Sequence, residues 1–258
     1  LFNMGGTLAF GIGPLFIAYF VRSYGLAASP LAMAVGLPIM VLLFRLVPLP
    51  GSEGLRNLGF IGSLREAMGT VWKSILIIWV VMVLRSFVSQ SFMVFVPVLF
   101  SEEGYSLVSI GAIISIFTVA GSISGLAAGY LSDRIGYKPI FFAAHLLTTP
   151  SLYLMLFFRD HWIYLSAFLA GFCAMATLPL GVALAQEMVS KGKSMVSSLM
   201  MGLALGTGGM MSPLAGKLAD IFSIKEVLIF MTLIPLLTMP LIFMLPERKR
   251  KKRAGQGL

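Results

Sequence analysis

"GYLSDRIGYKP", residues 129–139, sets a carboxylate, two cations and two glycines between two long apolar runs. The chain around it is 58% hydrophobic and 11% charged over 258 residues, with a mean hydropathy of +0.96. A water-soluble domain carries about 25% charged residues, so the solvent of this chain is lipid. The net charge of +9 does not indicate nucleic-acid binding, because the cations are scattered between long apolar runs. A membrane with basic cytoplasmic loops explains them better. Cys173, the one cysteine, excludes an intrachain disulfide, and no metal-ligand spacing is present.

A spanning helix needs about 20 mostly apolar residues. Eight segments qualify: 3–21, 27–49, 74–100, 107–131, 138–158, 162–186, 195–219 and 226–245. All are expected to be helical, because an open strand leaves its backbone groups unsatisfied in lipid. With Leu1 placed at the cytoplasmic side, one set of connections holds fourteen cations, six of them in the tail "RKRKKR" at 248–253. The other set holds four: Arg22, Arg159, Lys217 and Lys225. The positive-inside rule selects this orientation and a cytoplasmic tail. That tail is read as a stop-transfer anchor, with contact to anionic lipid as the alternative. Trp72, Trp79 and Trp162 sit where interfacial anchors are expected.

The expected organisation is two helices over 1–49, a cytoplasmic linker over 50–73, a six-helix bundle over 74–246 and a basic tail over 247–258. The linker includes a stretch near 61–68 whose alternative reading is a short surface helix. Two stretches align at a constant offset: "GIGPLFIAYFVRSYGL" at 11–26 and "MMSPLAGKLADIFSIK" at 210–225, with Pro14 on Pro213 and Leu15 on Leu214. The first two helices thus correspond to the last two of the following six, as in a six-helix unit repeated in parallel. On that reading, and because Leu1 is not a methionine, the first unit is expected to lack four helices.

The opening stretch resembles motif A of the major facilitator superfamily. Gly129, Asp133, Arg134, Gly136 and Lys138 match it, and Tyr137 departs where a basic residue is common. The resemblance implies the second copy of the motif, between helices eight and nine, and a conformational latch. In that latch Gly129 permits close helix approach. Asp133 faces the positive end of a helix starting near Met195. Arg134 pairs with a carboxylate, for which Glu187 is one candidate, the alternative for Glu187 being a solvated helix end. A second stretch, "AQEMVSKGKSMVSSLMMGLALGTGGMMSPLAGKLADIFSI" at 185–224, is similar to the helix ten to eleven region of the fosmidomycin-resistance group of drug exporters. "FNMGGTLAFGIGPLF" at 2–16 resembles that group's fifth helix and keeps the Gly13–Pro14 step of the exporters' motif C. It departs at Ile17 and Ala18, where further glycines are usual. The resemblance implies an all-α membrane protein, a partial major facilitator fold of eight transmembrane helices.

Arg85 stands halfway along the third apolar segment, where a cation costs at least about 2.5 kcal/mol on insertion scales. It either binds an anionic or polar substrate, with Ser89 four residues on and Gln90 beside it, or donates to backbone carbonyls or a carboxylate. His145 and His161 are read as packing or interfacial residues, since neither has a second ligand at suitable spacing. There is no phosphate loop, no nucleophile with its base and no metal cluster, so no enzyme and no cofactor are expected. The expected function is a secondary active exporter of a drug-like or toxic small molecule, coupled to protons and working by alternating access in a bacterial-type inner membrane. The alternatives are a sugar or organic-anion transporter of the same fold, or a truncated, non-transporting membrane fragment.

Overall fold

A computed structural model describes residues 2–46, 62, 68–189 and 192–245. Among them there is helix and no strand. Helix α1 runs Phe2–Tyr24. A 3₁₀ stretch over Leu26–Val35 then leads into α2, Gly36–Leu46. The bundle follows as α3 Trp72–Glu102, α4 Leu107–Ile135, α5 Tyr137–Phe157, α6 Trp162–Met175 and α7 Thr177–Met188. It ends with α8 Lys193–Ser198, a π-helical turn at Leu199–Leu203, α9 Ala204–Met210, α10 Ser212–Ile221, α11 Ile224–Met231, α12 Ile234–Leu237 and α13 Met239–Phe243.

These short pieces join into spans. Seven are long and apolar enough to cross a bilayer, and α1 supplies a shorter apolar helix over Leu8–Tyr24. All eight expected segments are therefore helical, with shifted ends: the third starts at Gly69 rather than 74. Most of the 50–73 linker, including the proposed surface helix, and the tail from 247 lie outside the described residues. Local chemistry marks several ends. Ser106 caps α4 by accepting from the Ser109 N–H at 3.2 Å. Ser223 caps α11 by accepting from the Glu226 N–H, while its hydroxyl donates to the Glu226 carboxylate, a serine–glutamate pairing across one turn.

Alternation along the chain is visible in the contacts at each end of the bundle. At one end Arg159, after α5, pairs with Glu103, after α3, at 2.6 Å. The Lys225 ammonium lies 4.8 Å from the centre of the Phe157 ring there. At the other end, which carries the 129–139 stretch, Tyr137 meets Glu187 and Gln186 donates to Ser197.

The bundle has two apolar cores, one above the other. The core nearer the 129–139 end gathers Ile75, Ile78, Met82, Phe141, Leu180, Leu184, Met200 and Ile242 among others. The far core gathers Phe92, Phe100, Ile113, Phe117, Leu152, Met155, Ile163 and Leu228 among others. Between them lies a layer of buried polar side chains that includes Arg85, Ser89, His145, Thr148, Thr177 and Thr238. The chain is irregular at the same level. One span breaks at Ala176, three residues before Pro179, and the last breaks at Thr232–Leu233 and at Thr238. Proline explains these breaks, since Pro179, Pro235 and Pro240 have no N–H for the preceding turn. The exposed carbonyls find side chains instead: Thr149 donates to the Thr232 carbonyl at 2.7 Å.

Candidate functional site

The 129–139 stretch forms the corner between α4 and α5. Gly136 closes α4 with its N–H on the Ser132 carbonyl at 2.9 Å and adopts φ 92°, ψ 165°. That conformation is open to glycine and strained for other residues, which accounts for glycine at this position of the motif. Asp133 and Arg134 are exposed in the last turn of α4, and Lys138 is half-buried in the first turn of α5. The Arg134 guanidinium lies 4.5 Å from the centre of the Tyr130 ring and donates to its hydroxyl.

Gly129 differs from the expectation of a close approach, because no atom lies within 4 Å of where its Cβ would stand. The close approach is one turn earlier, where a Cβ on Gly125 would come 3.2 Å from the Pro179 ring. Tyr137, the departure from the motif, is buried and donates its hydroxyl to Glu187 Oε1 at 2.8 Å, tying α5 to the end of α7. Tyr137→Phe should cost about 1 kcal/mol, the usual worth of such a bond. It should lower the thermal unfolding midpoint by a few degrees without changing membrane yield, and an unchanged midpoint would exclude the Tyr137–Glu187 bond as a support.

The second feature is the crossing of α1 and α4, where two glycines on opposite helices face each other's partners. A Cβ on Gly11 would stand 2.8 Å from the Val119 side chain. One on Gly111 would stand 2.7 Å from the Ala18 Cβ and 2.9 Å from the Pro14 carbonyl oxygen. Small residues are what allow two backbones to approach this closely in lipid. Pro14 sits at the crossing, and the Leu15 N–H that follows it donates to Ser115 Oγ at 3.0 Å. Gly13 has no atom within 4 Å of its Cβ position. Pro213, which aligns with Pro14, instead begins a new helix, α10.

The third feature is Arg85. It is 7% exposed and donates Nε to the Ala174 carbonyl at 3.1 Å, beside the break between α6 and α7. Its side chain lies inside the six-helix bundle, and the carbonyl contact is one of the two roles its position implied. Ser89 shares its face and its cavity, whereas Gln90 is half-buried and lies outside the residues lining that cavity. The same cavity is lined by His145, Thr148, Thr177 and Thr238. Spacing rules for metal ligands passed over His145. The signal that identifies it is the one that marked Arg85: an ionisable group in mid-span needs a reason to be there.

The family model for the Major Facilitator Superfamily matches residues 78–258. Over 257 residues, 97% of the chain, the sequence is 26% identical to the Fosmidomycin resistance protein of Escherichia coli (strain K12), covering 63% of that protein. Over 137 residues, 53% of the chain, it is 28% identical to the Uncharacterized MFS-type transporter YfnC of Bacillus subtilis (strain 168), covering 33% of it. The chain thus spans less than two thirds of the length of either relative. With its apolar helical spans, its α4–α5 corner and the family match over most of its length, this chain is an integral, multi-pass membrane protein of the major facilitator superfamily.

Proposed function

We propose that the chain supplies helices five to twelve of a secondary active exporter of drug-like or toxic small molecules, coupled to protons and working by alternating access. The observation that carries this reading is the α1–α4 crossing. A helix assigned to one bundle meets a helix assigned to the other across a glycine-lined contact, with one hydrogen bond from Leu15 to Ser115. A smooth contact with few polar ties is suited to two bundles that rock against each other around a central cargo. The Escherichia coli relative is named for resistance to fosmidomycin, which supports a drug-like cargo, and the bacterial sources of both relatives support an inner-membrane location. The cation distribution supports a cytoplasmic tail.

Expression of the full-length protein in a bacterial host stripped of its own exporters should raise the tolerated concentration of fosmidomycin or of another compound in a drug panel. Collapse of the proton gradient should remove that protection. Protein present in the membrane without protection against any compound would overturn the export reading. The α4–α5 corner is assigned to a latch that holds one conformation. Asp133→Asn should therefore reach the membrane at normal yield and reduce efflux on the order of tenfold, a usual size for coupling between two states. Unaltered efflux at unaltered yield would rule out the latch.

A further inference from the structure

Four buried side-chain atoms without a hydrogen-bond partner among the described residues belong to residues lining one cavity: Arg85 Nη1, Ser89 Oγ, His145 Nε2 and Thr177 Oγ1. Their residues are 7%, 6%, 3% and 1% exposed. They come from three spans and lie in the polar layer between the two apolar cores. A polar atom buried without a partner is costly, and inside a membrane no bulk water relieves it. The cavity has room for about one water molecule. Pro235 and Thr238 line it from the interrupted last span. Ordered water is one of the means by which proline-broken spans satisfy their polar groups.

Donor and acceptor chemistry restricts the occupant. Arg85 Nη1 only donates. His145 Nδ1 lies 2.9 Å from the Phe141 carbonyl oxygen. A carbonyl only accepts, so Nδ1 carries hydrogen, and in the neutral ring Nε2 only accepts. The Thr148 and Thr238 hydroxyls are already engaged, donating to the Ala144 carbonyl at 2.7 Å and to the Pro235 carbonyl at 2.6 Å. The Ser89 and Thr177 hydroxyls can take either role. The occupant must therefore accept from Arg85 and donate to His145. A cation cannot accept, and Arg85 repels it. A halide cannot donate to Nε2, and it is larger than the body for which there is room. Water fits and does both.

We propose that Arg85, Ser89, His145 and Thr177 hold one resident water molecule inside the six-helix bundle, which accepts from Arg85 Nη1 and donates to His145 Nε2. Of the two remaining hydroxyls, one donates to the water and the other accepts from it. The water then makes two donated and two accepted bonds, the upper end of what buried waters make, and all four side-chain atoms are satisfied. The bridge ties α3, α5 and α7 together at the level where Ala176 and Thr238 interrupt their spans. It also fixes His145 in the tautomer with hydrogen on Nδ1. His145 is on this reading a positioning residue: it anchors α5 to Arg85 through the water, while Arg85 Nε holds the Ala174 carbonyl beside the α6–α7 break. The site lies within one bundle and is independent of the exported compound.

The test is solid-state nitrogen NMR of purified full-length protein in lipid bilayers, with isotope-labelled histidine and the His145 signals identified by their loss in His145→Gln. His145 should show a protonated Nδ1 and a bare, hydrogen-bonded Nε2. Magnetisation started on water should reach its buried ring. Thr177→Val removes one hydroxyl and should keep both signatures, because Arg85 and His145 still hold the water. Ser89→Val places methyl groups in the cavity and should expel the water. The transfer to His145 should then be lost and the Nε2 signal should shift away from its hydrogen-bonded position. If that variant does not accumulate, the tautomer and the transfer in the unsubstituted protein decide alone. Hydrogen on Nε2 in the unsubstituted protein, no water transfer to the His145 ring, or transfer that survives in Ser89→Val would each overturn the proposal.

Discussion

Gly171→Ala should leave little folded protein in the membrane. A Cβ at that position would overlap the Phe117 carbonyl, so α4 and α6 would have to separate along their most intimate contact. The obstacle is backbone, and no side-chain rotation relieves it. The far core is built on the same contact, since Phe117, Ala167, Ala170 and Ala174 are all buried there. Overpacking a core by a methyl group usually costs about 1–3 kcal/mol, and a rigid obstacle places this change at or above the upper end. Gly181→Ala provides the comparison. Its new methyl would meet the Met82 sulfur at 2.5 Å, the far end of a flexible side chain that can repack. The expected order in fluorescence-detected size exclusion after heating is native, Gly181→Ala, then Gly171→Ala far below. Equal survival of the two variants would contradict the packing described.

Gly111→Leu should separate folding from transport. The substituted side chain would press on the Pro14 carbonyl and Ala18 of α1, while neither apolar core of the six-helix bundle uses Gly111. In the full-length protein the six-helix bundle should therefore form and the protein should accumulate. The close seating of α1 on α4, and with it the Leu15–Ser115 hydrogen bond, should be lost. Efflux should fall at least about tenfold at near-normal yield, as expected when one of two alternating states loses a contact it depends on. Normal efflux would show that this seating is dispensable for cargo movement, and collapse of yield would show that the two bundles do not fold independently.

The spans were legible because length and apolarity alone decide them, and of the five matching positions between Gly129 and Lys138 one has a conformational reason on show in the corner. Gly136 shows the physical basis, since its backbone angles exclude other residues. Directions within the membrane were not legible. Arg85 announced its cost but not its neighbour, because Ala174 lies 89 residues away along the chain. His145 was read as packing or interfacial, and its ring is buried against Phe141; the cavity it shares with Arg85, Ser89 and Thr177 was not legible, because those residues come from two other spans. Glycine-rich stretches looked alike, yet Gly208 is pressed against Ser86 while Gly202, Gly206 and Gly209 face open space. Helical facing decides that, and a small residue gives no hydropathy signal of its own. Tyr137 looked like a lapse from the motif, and only the distance to Glu187 shows what it does.

The division of the bundle into two apolar cores bears on its mechanics. Close-packed interiors transmit strain because every atom presses on the next. Here apolar packing thins at mid-height, where a layer of side chains is polar and prolines interrupt the helical hydrogen bonding near Ala176, Thr232 and Thr238. A sharp bend in a helix has its place at such proline-linked breaks. Such a seam gives the six-helix unit a place to bend between its two apolar halves. A tilt imposed at the 129–139 end would then be taken up first at the level of Arg85 and His145.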